Sequence, residues 1–333
     1  MSEAPKVVIT DFDYGDVDVE RGILEAAGAR VVALQAKAEA DLFDEARDCA
    51  AIMNQYARVG AATIERMQRC QVIARYGVGV DIVDVDAATR KGILVTNVRD
   101  YCTEEVADHA VALWLTLARK LPLYDRATHA GIWRWQSGQP IGRLRGRTLG
   151  IVSFGRIGRA IADRARPFGV ELIVYDPYVQ ADAVAEHGAR LVDKDALLAE
   201  ADFLLMQAPM TAETRHFLGA DEFRRMKPGA IVVNTGRGPT IDNQALYEAL
   251  TSGRIAAAGL DDPEEEPAKR AHWDPADNPI FTLPNVVVTP HAAYYSEESI
   301  HAAREIAASE VARVLTGQQP RYPVNAAALA TNA

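Results

Sequence analysis

The sequence predicts an α/β protein made of two doubly wound parallel-sheet domains, and three observations carry that expectation. Short β-branched runs alternate with amphipathic stretches from end to end. The 333 residues exceed the usual size of a single domain. A second series of runs opens near residue 148 with a strand that enters a glycine turn and then a helix.

In the first series, strands are expected at 6–10, 30–34, 51–54, 72–76 and 93–97, with helices at 19–27 and 41–49 between them. The second series has runs at 148–154, 171–176, 203–208, 230–235, 255–260 and 286–289, with helices at 158–168 and 243–251. Two long helices are expected at the seams. Thr103 is a plausible cap for 103–121, with Glu104 and Glu105 in the first turn, where the helix dipole favours acids. Ser296, Glu297 and Glu298 open 296–315 in the same way. These helices are expected to carry the chain between domains, so that 1–101 joins 296–333 and 102–295 stands as the second domain. The small, polar tail 325–333 is expected to fray.

Hydrophobic residues make up 49% and charged residues 25%, a composition too apolar for disorder. With 36 basic against 46 acidic side chains, the net charge is −10, which disfavours nucleic acid and anionic membranes as partners. An anionic substrate must then be drawn by a local cluster of arginines and not by the global field. Cys49, Cys70 and Cys102 show no metal-ligand spacing, so neither a disulfide framework nor a metal site is expected. No run has a leader or membrane-spanning pattern, and a cytoplasmic location is expected.

The glycine turn reads Leu149-Gly-Ile-Val-Ser-Phe-Gly-Arg-Ile-Gly158. Gly155 and Gly158 match the second and third glycines of a dinucleotide fingerprint: one lets backbone approach a pyrophosphate, the other lets helix and strand pack closely. Ser153 holds the first position, so the turn is expected to differ slightly or to cost strain. The next strand ends in Asp176, 18 residues past Gly158. An acid there suits the ribose hydroxyls of NAD and repels the 2′-phosphate of NADP.

Three later segments place polar residues at strand ends, where ligands of open α/β sheets bind: Asn234-Thr-Gly-Arg237, Asp261-Asp-Pro-Glu-Glu-Glu266, and Thr289-Pro-His291-Ala-Ala-Tyr294. Reduction of a 2-oxo acid needs a proton donor for the carbonyl oxygen, commonly His, and a carboxylate beside that His. It also needs a guanidinium for the substrate carboxylate. Any of Glu264, Glu265 and Glu266 is a candidate partner for His291, and spacing from Asp261 favours Glu266. His109 is read as helix packing. Trp133 and Trp135 are read as pocket, core or interface residues.

From about Val72 to Leu315 the chain resembles the D-isomer-specific 2-hydroxyacid dehydrogenase family, through VSFGRIG, NTGRG, LDDPEEEP and TPHAAYYSEES. The last motif, with RYGVGVDIVDVDAA and NVRDYCTEEVADHA, is particularly similar to the C-terminal binding protein branch. The resemblance implies a Rossmann-type cofactor domain, a flavodoxin-like substrate domain and NAD as cofactor. It implies Arg237 as the substrate-binding and polarising arginine, His291 as acid/base and Glu266 as its partner. It places Arg75 and the loop Tyr76, Gly77, Val78 and Gly79 on the substrate carboxylate, and Asp261 near the nicotinamide. Tyr76, Tyr101 and Tyr294 are expected to face a substrate pocket wider than glyoxylate requires.

Further cofactor contacts are implied for Val106, Ser153, Phe154, Gly155, Arg156, Ile157, Gly158, Tyr175, Asp176 and Pro177. Ala208, Pro209, Thr214, Thr235, Gly236 and Ala293 join them, beside Arg237, Asp261 and His291. A homodimer is implied, with 103–121 and 119–139 near its interface. Three departures stand out: Ser153 for glycine, Asp262-Pro263 for the more usual Val-Phe pair, and Gln207 where a His often stands. The expected activity is NAD-dependent reduction of a 2-oxo acid to the D-2-hydroxy acid, and its reverse. The alternative that the resemblance allows is an NAD(H)-sensing, corepressor-like scaffold.

Overall fold

The computed structural model describes residues 4–267 and 272–332. Two compact units are formed, one by residues 1–102 with 295–333 and the other by residues 103–294.

In the first unit, five strands make one parallel sheet: β1 (Lys6–Ile9), β2 (Arg30–Ala33), β3 (Ala51–Asn54), β4 (Val72–Arg75) and β5 (Leu94–Thr96), in the order β2-β1-β3-β4-β5. All five coincide with the apolar runs of the sequence. Parallel strands need crossover helices, and these cover both faces of the sheet. One face packs Val7, Ile9 and Met53 under Leu24 of the helix Asp18–Ala26 and Ala307, Ala308 and Val311 of the helix Glu297–Leu315. The other packs Val8, Ile52 and Ile73 under Leu42, Ile64 and Ala87.

The second unit has seven parallel strands: β6 (Thr148–Val152), β7 (Glu171–Tyr175), β8 (Ala189–Leu191), β9 (Phe203–Met206), β10 (Ala230–Asn234), β11 (Ile255–Leu260) and β12 (Val286–Val288). Their order is β12-β11-β10-β9-β6-β7-β8. The chain reverses its direction of winding between β6 and β9, which is where a doubly wound sheet binds its ligand. Trp114, Phe154 and Ile161 fill one face, and Leu197, Phe223 and Leu246 the other.

Four expectations are corrected. β8 was not foreseen, because Ala189-Arg190-Leu191 carries no β-branched residue. The helix expected at 41–49 is a 3-10 turn, Glu39–Leu42, followed by a single turn, Phe43–Ala46. The Asp41 carboxylate accepts from the Lys37 and Ala38 amides and so competes with regular helix. The long helix expected through residue 121 ends at Ala118. Lys120 takes a left-handed φ of 54°, and Pro122 stands near the start of a separate helix, Leu121–His129.

The tail is not frayed over its described part. Asn325 is buried and accepts from the Val95 amide at 2.8 Å while donating to Ile93 O and Thr89 Oγ1, and the helix Ala326–Asn332 follows. Ala333, the last residue of that expected tail, lies outside the described residues.

Candidate active site

The glycine turn leaves β6 at the switch point. Ser153 adopts φ 74°, the conformation a glycine would take without cost, and its amide donates to Tyr175 O at 2.9 Å. The turn therefore keeps the glycine geometry and stores strain in a serine. Gly155 caps the helix Arg156–Ala165, and a Cβ on it would meet nothing within 4 Å, so the backbone is open to a close ligand. A Cβ on Gly158 would sit 2.4 Å from Ser153 O, so only glycine lets this helix pack on this turn. This is a cradle of the shape and chemistry a pyrophosphate needs. Ser153→Gly should raise unfolding stability by about 0.5–1 kcal/mol, the left-handed cost of an L-residue less the greater freedom of unfolded glycine. Denaturant titration measures it, and an unchanged or lower midpoint would contradict the strain.

Asp176 joins the two strand ends. Its Oδ2 accepts from the Phe154 amide at 2.7 Å and its Oδ1 from the Tyr178 amide at 2.9 Å. Tyr178 in turn donates to Glu213 at 3.0 Å, which places a second carboxylate on this side. The Phe154 ring is wholly buried against His187, so only its backbone faces the turn. Val106, Ala208 and Ala293 are buried as well, Ile157, Tyr175, Thr214, Thr235 and Gly236 are half-buried, and Arg156, Pro177 and Pro209 are exposed. Gln207 and Thr235 exchange hydrogen bonds at 2.7 and 3.1 Å, tying the ends of β9 and β10. Sequence reasoning gave Gln207 little weight; the amide, able to donate and accept at once, was its signal.

At the end of β10, Arg237 is half-buried, and its carbonyl accepts from Asn234 Nδ2 at 2.9 Å and Thr240 Oγ1 at 2.6 Å. At the end of β11, Asp261 is 4% exposed and serves the next loop. Its carboxylate accepts from Thr289 Oγ1 at 2.6 Å and from the Ala292 and Ala293 amides at 2.8 and 3.0 Å. Its carbonyl accepts from the His291 amide at 2.7 Å. His291 is thereby held at φ 54°. The His291 Nδ1 lies 3.1 Å from Asp262 Oδ2, and the Tyr294 ring meets the imidazole edge-on at 6.0 Å. His109 does more than pack: its Nε2 hydrogen-bonds Thr289 Oγ1 at 3.0 Å.

Two of the three consecutive glutamates are committed to other partners. Glu264 pairs with His216 and accepts from the Asn243 amide, and Glu265 accepts from Asn243 Nδ2. Glu266 turns the chain at φ 49°, with its amide on Pro263 O. In the first unit, Arg75 donates to Tyr76 O at 2.7 Å, and its buried Nε has no hydrogen-bond partner among the described residues. Asn97 Nδ2 and the Val98 amide hold the carbonyls of Val78 and Gly77. The Tyr76 ring does not face a pocket: it is 2% exposed in the core, edge-on to Tyr14. Gly79 and Tyr101 are half-buried.

Residues 111–293 match the family described as D-isomer specific 2-hydroxyacid dehydrogenase, NAD binding domain. The chain belongs to this family. It is 39% identical over 322 residues to D-3-phosphoglycerate dehydrogenase of Methanocaldococcus jannaschii, covering 96% of this chain and 59% of that protein. The chain thus spans little more than half the length of that relative. It is 40% identical to glyoxylate reductase of Korarchaeum cryptofilum, covering 85% of both chains. The structure of D-lactate dehydrogenase from Aquifex aeolicus complexed with NAD and lactic acid superposes with a TM-score of 0.86 and 28% identity, over 93% of this chain and 96% of that one. As a member of the 2-hydroxyacid dehydrogenases, the chain has two parallel α/β units and an NAD-binding domain built on β6–β12.

Proposed function

We propose that the protein interconverts a small 2-oxo acid and its D-2-hydroxy acid with NAD, using His291 as acid/base. The observation that carries this reading is the clamp on His291. A left-handed backbone, a buried carboxylate under the loop and a second carboxylate on the ring hold one imidazole at the carboxyl end of the sheet. Such constraint is costly for a surface histidine and useful for one that must deliver a proton along a fixed line.

The nicotinamide, when bound, supplies or accepts the hydride at C2. His291 Nε2 gives its proton to the carbonyl oxygen in reduction and takes the hydroxyl proton in oxidation. Arg237, whose main chain is pinned by Asn234 and Thr240, binds the substrate carboxylate and polarises the carbonyl. The resemblance gives Glu266 the part of carboxylate partner to His291; Glu264 and Glu265 are engaged elsewhere, whereas Asp262 stands on Nδ1. The resemblance also implies Arg75 and the backbone of 76–79 for the substrate carboxylate, and Arg75 carries a buried Nε with no hydrogen-bond partner among the described residues. Asp176, with Glu213 near by through Tyr178, favours NAD over NADP.

The working form is read as a cytoplasmic homodimer. Leu121, Ile132, Trp133 and Trp135 are 54%, 47%, 88% and 66% exposed, an apolar stretch that a second copy would cover. A single-chain mass in sedimentation would remove that reading.

The activity is tested by following NADH oxidation with 2-oxo acids from glyoxylate to phenylpyruvate, with NADPH in parallel. Turnover with NADH is expected, and Tyr101 and Tyr294 are expected to accept acids larger than glyoxylate. A preference for NADPH would overturn the role of Asp176. Tight NADH binding with no turnover on any acid would favour the scaffold instead.

A further inference from the structure

Asp262 is the residue that departs from the usual valine after Asp261, and the structure gives it a contact. Its side chain is 6% exposed, that of His291 is 16% exposed, and Oδ2 stands 3.1 Å from Nδ1. An ionised carboxylate can only accept, so Nδ1 is the donor in this pair. A neutral imidazole protonated at Nδ1 carries its lone pair at Nε2. A second proton then enters and leaves at Nε2 alone. The two neighbouring acids divide the work: Asp261 fixes the loop through Thr289, Ala292 and Ala293, and Asp262 fixes the ring. A valine would fill the same space, but it would leave Nδ1 buried without this acceptor. A buried carboxylate and a buried ring nitrogen both gain from a hydrogen bond, so the contact favours each group.

We propose that Asp262 is a positioning residue that sets the tautomer and orientation of His291, so that Nε2 is the atom that exchanges the substrate proton. The proposal rests on the reading of His291 as the acid/base. It gives the Nδ1 contact to Asp262 in place of Glu266, the partner that the resemblance implies. In its simplest form, Asp262 acts through Nδ1 on a proton carried at Nε2, and it touches neither substrate nor cofactor.

The test compares Asp262→Val, Asp262→Ala and Asp262→Asn with the unmodified protein and with His291→Ala. Steady-state kinetics with NADH and the best 2-oxo acid are paired with nitrogen NMR of the His291 ring. Removing the acceptor should lower kcat by about 10-fold or more, between the loss seen behind metal-bound histidines and the larger loss of a triad aspartate, with KM and NADH affinity nearly constant. The neutral ring should be protonated at Nδ1 in the unmodified protein and move towards the Nε2–H form in the Val and Ala variants. Asp262→Asn, whose amide oxygen can still accept, should recover part of kcat and retain the Nδ1–H signal. Either the Val or the Ala variant suffices should the other fail to fold. Unchanged kcat together with an unchanged tautomer in either would overturn the proposal. Turnover surviving in His291→Ala would instead sink the acid/base reading, and the NMR signal would still report whether Asp262 sets the ring.

Discussion

Replacing His291 by alanine is expected to lower turnover by about two orders of magnitude or more, the ordinary scale of general acid–base catalysis, while NADH affinity stays nearly intact. The separation follows from the layout of the second unit. The cradle at Ser153, Gly155 and Gly158 is built from the β6 turn and the following helix, whereas His291 hangs on Asp261 at the end of β11. Truncating the imidazole removes a proton carrier and leaves that cradle untouched. Fluorescence titration with NADH and steady-state kinetics measure the two quantities. Near-normal turnover would remove His291 from the chemistry, and a collapse of NADH affinity would show that its loop supports the cofactor site as well.

The largest stability effect is expected in the first unit, from Arg304→Ala. Arg304 grips Glu20 in a two-pronged contact, Nε to Oε1 at 3.0 Å and Nη2 to Oε2 at 2.8 Å, and reaches Asp16 at 2.7 Å. Glu20 has no exposed side-chain surface and Arg304 has 8%. Loss of the guanidinium leaves a buried carboxylate without its cation, which costs about 3–5 kcal/mol. Replacing both partners by apolar residues, Arg304→Met with Glu20→Leu, should recover most of it, because the penalty is the orphaned charge. All four tryptophans lie in the second unit. Amide hydrogen exchange over 6–102 is therefore the proper readout. A loss below about 1 kcal/mol would mean that the pair is no stronger than an ordinary surface ion pair. Tyr76 lies beside this pair, its phenol pushed well above the usual range by burial and by Glu20. The same substitution should therefore disturb the loop 76–79 and raise KM.

The alternation of β-branched runs and amphipathic stretches made both sheets legible, because a parallel strand covered on both faces must be apolar along its whole length. That rule is also why β8 escaped notice. It pairs only with β7, at the edge of the sheet, and its Arg190 is exposed. Helix ends were legible where a side chain does the capping, as at Ser296, and obscure where the backbone turns, as at Lys120. The tail was misread because its anchor is one asparagine whose partners, Thr89, Ile93 and Val95, lie more than two hundred residues earlier.

The glycine turn, Arg237 and His291 stand out in the sequence because each follows directly on an apolar run, and the structure puts each at the end of a strand. Ser153 raised the right question, and the answer is a strained turn of the glycine shape. Asp262 was visible only as a departure from a familiar pair. Its contact with His291 depends on how two loops, 29 residues apart in sequence, meet above β11. Tyr76 shows the converse: an aromatic beside an arginine reads as a pocket wall, yet strand alternation turns its ring into the core.

The most direct test of the central claim is to supply NADH deuterated at both C4 positions with a 2-oxo acid that turns over, and to locate the label. The account predicts deuterium on C2 of a D-2-hydroxy acid, with the hydroxyl proton drawn from solvent. Absence of label on C2, or a product of the L configuration, would contradict it.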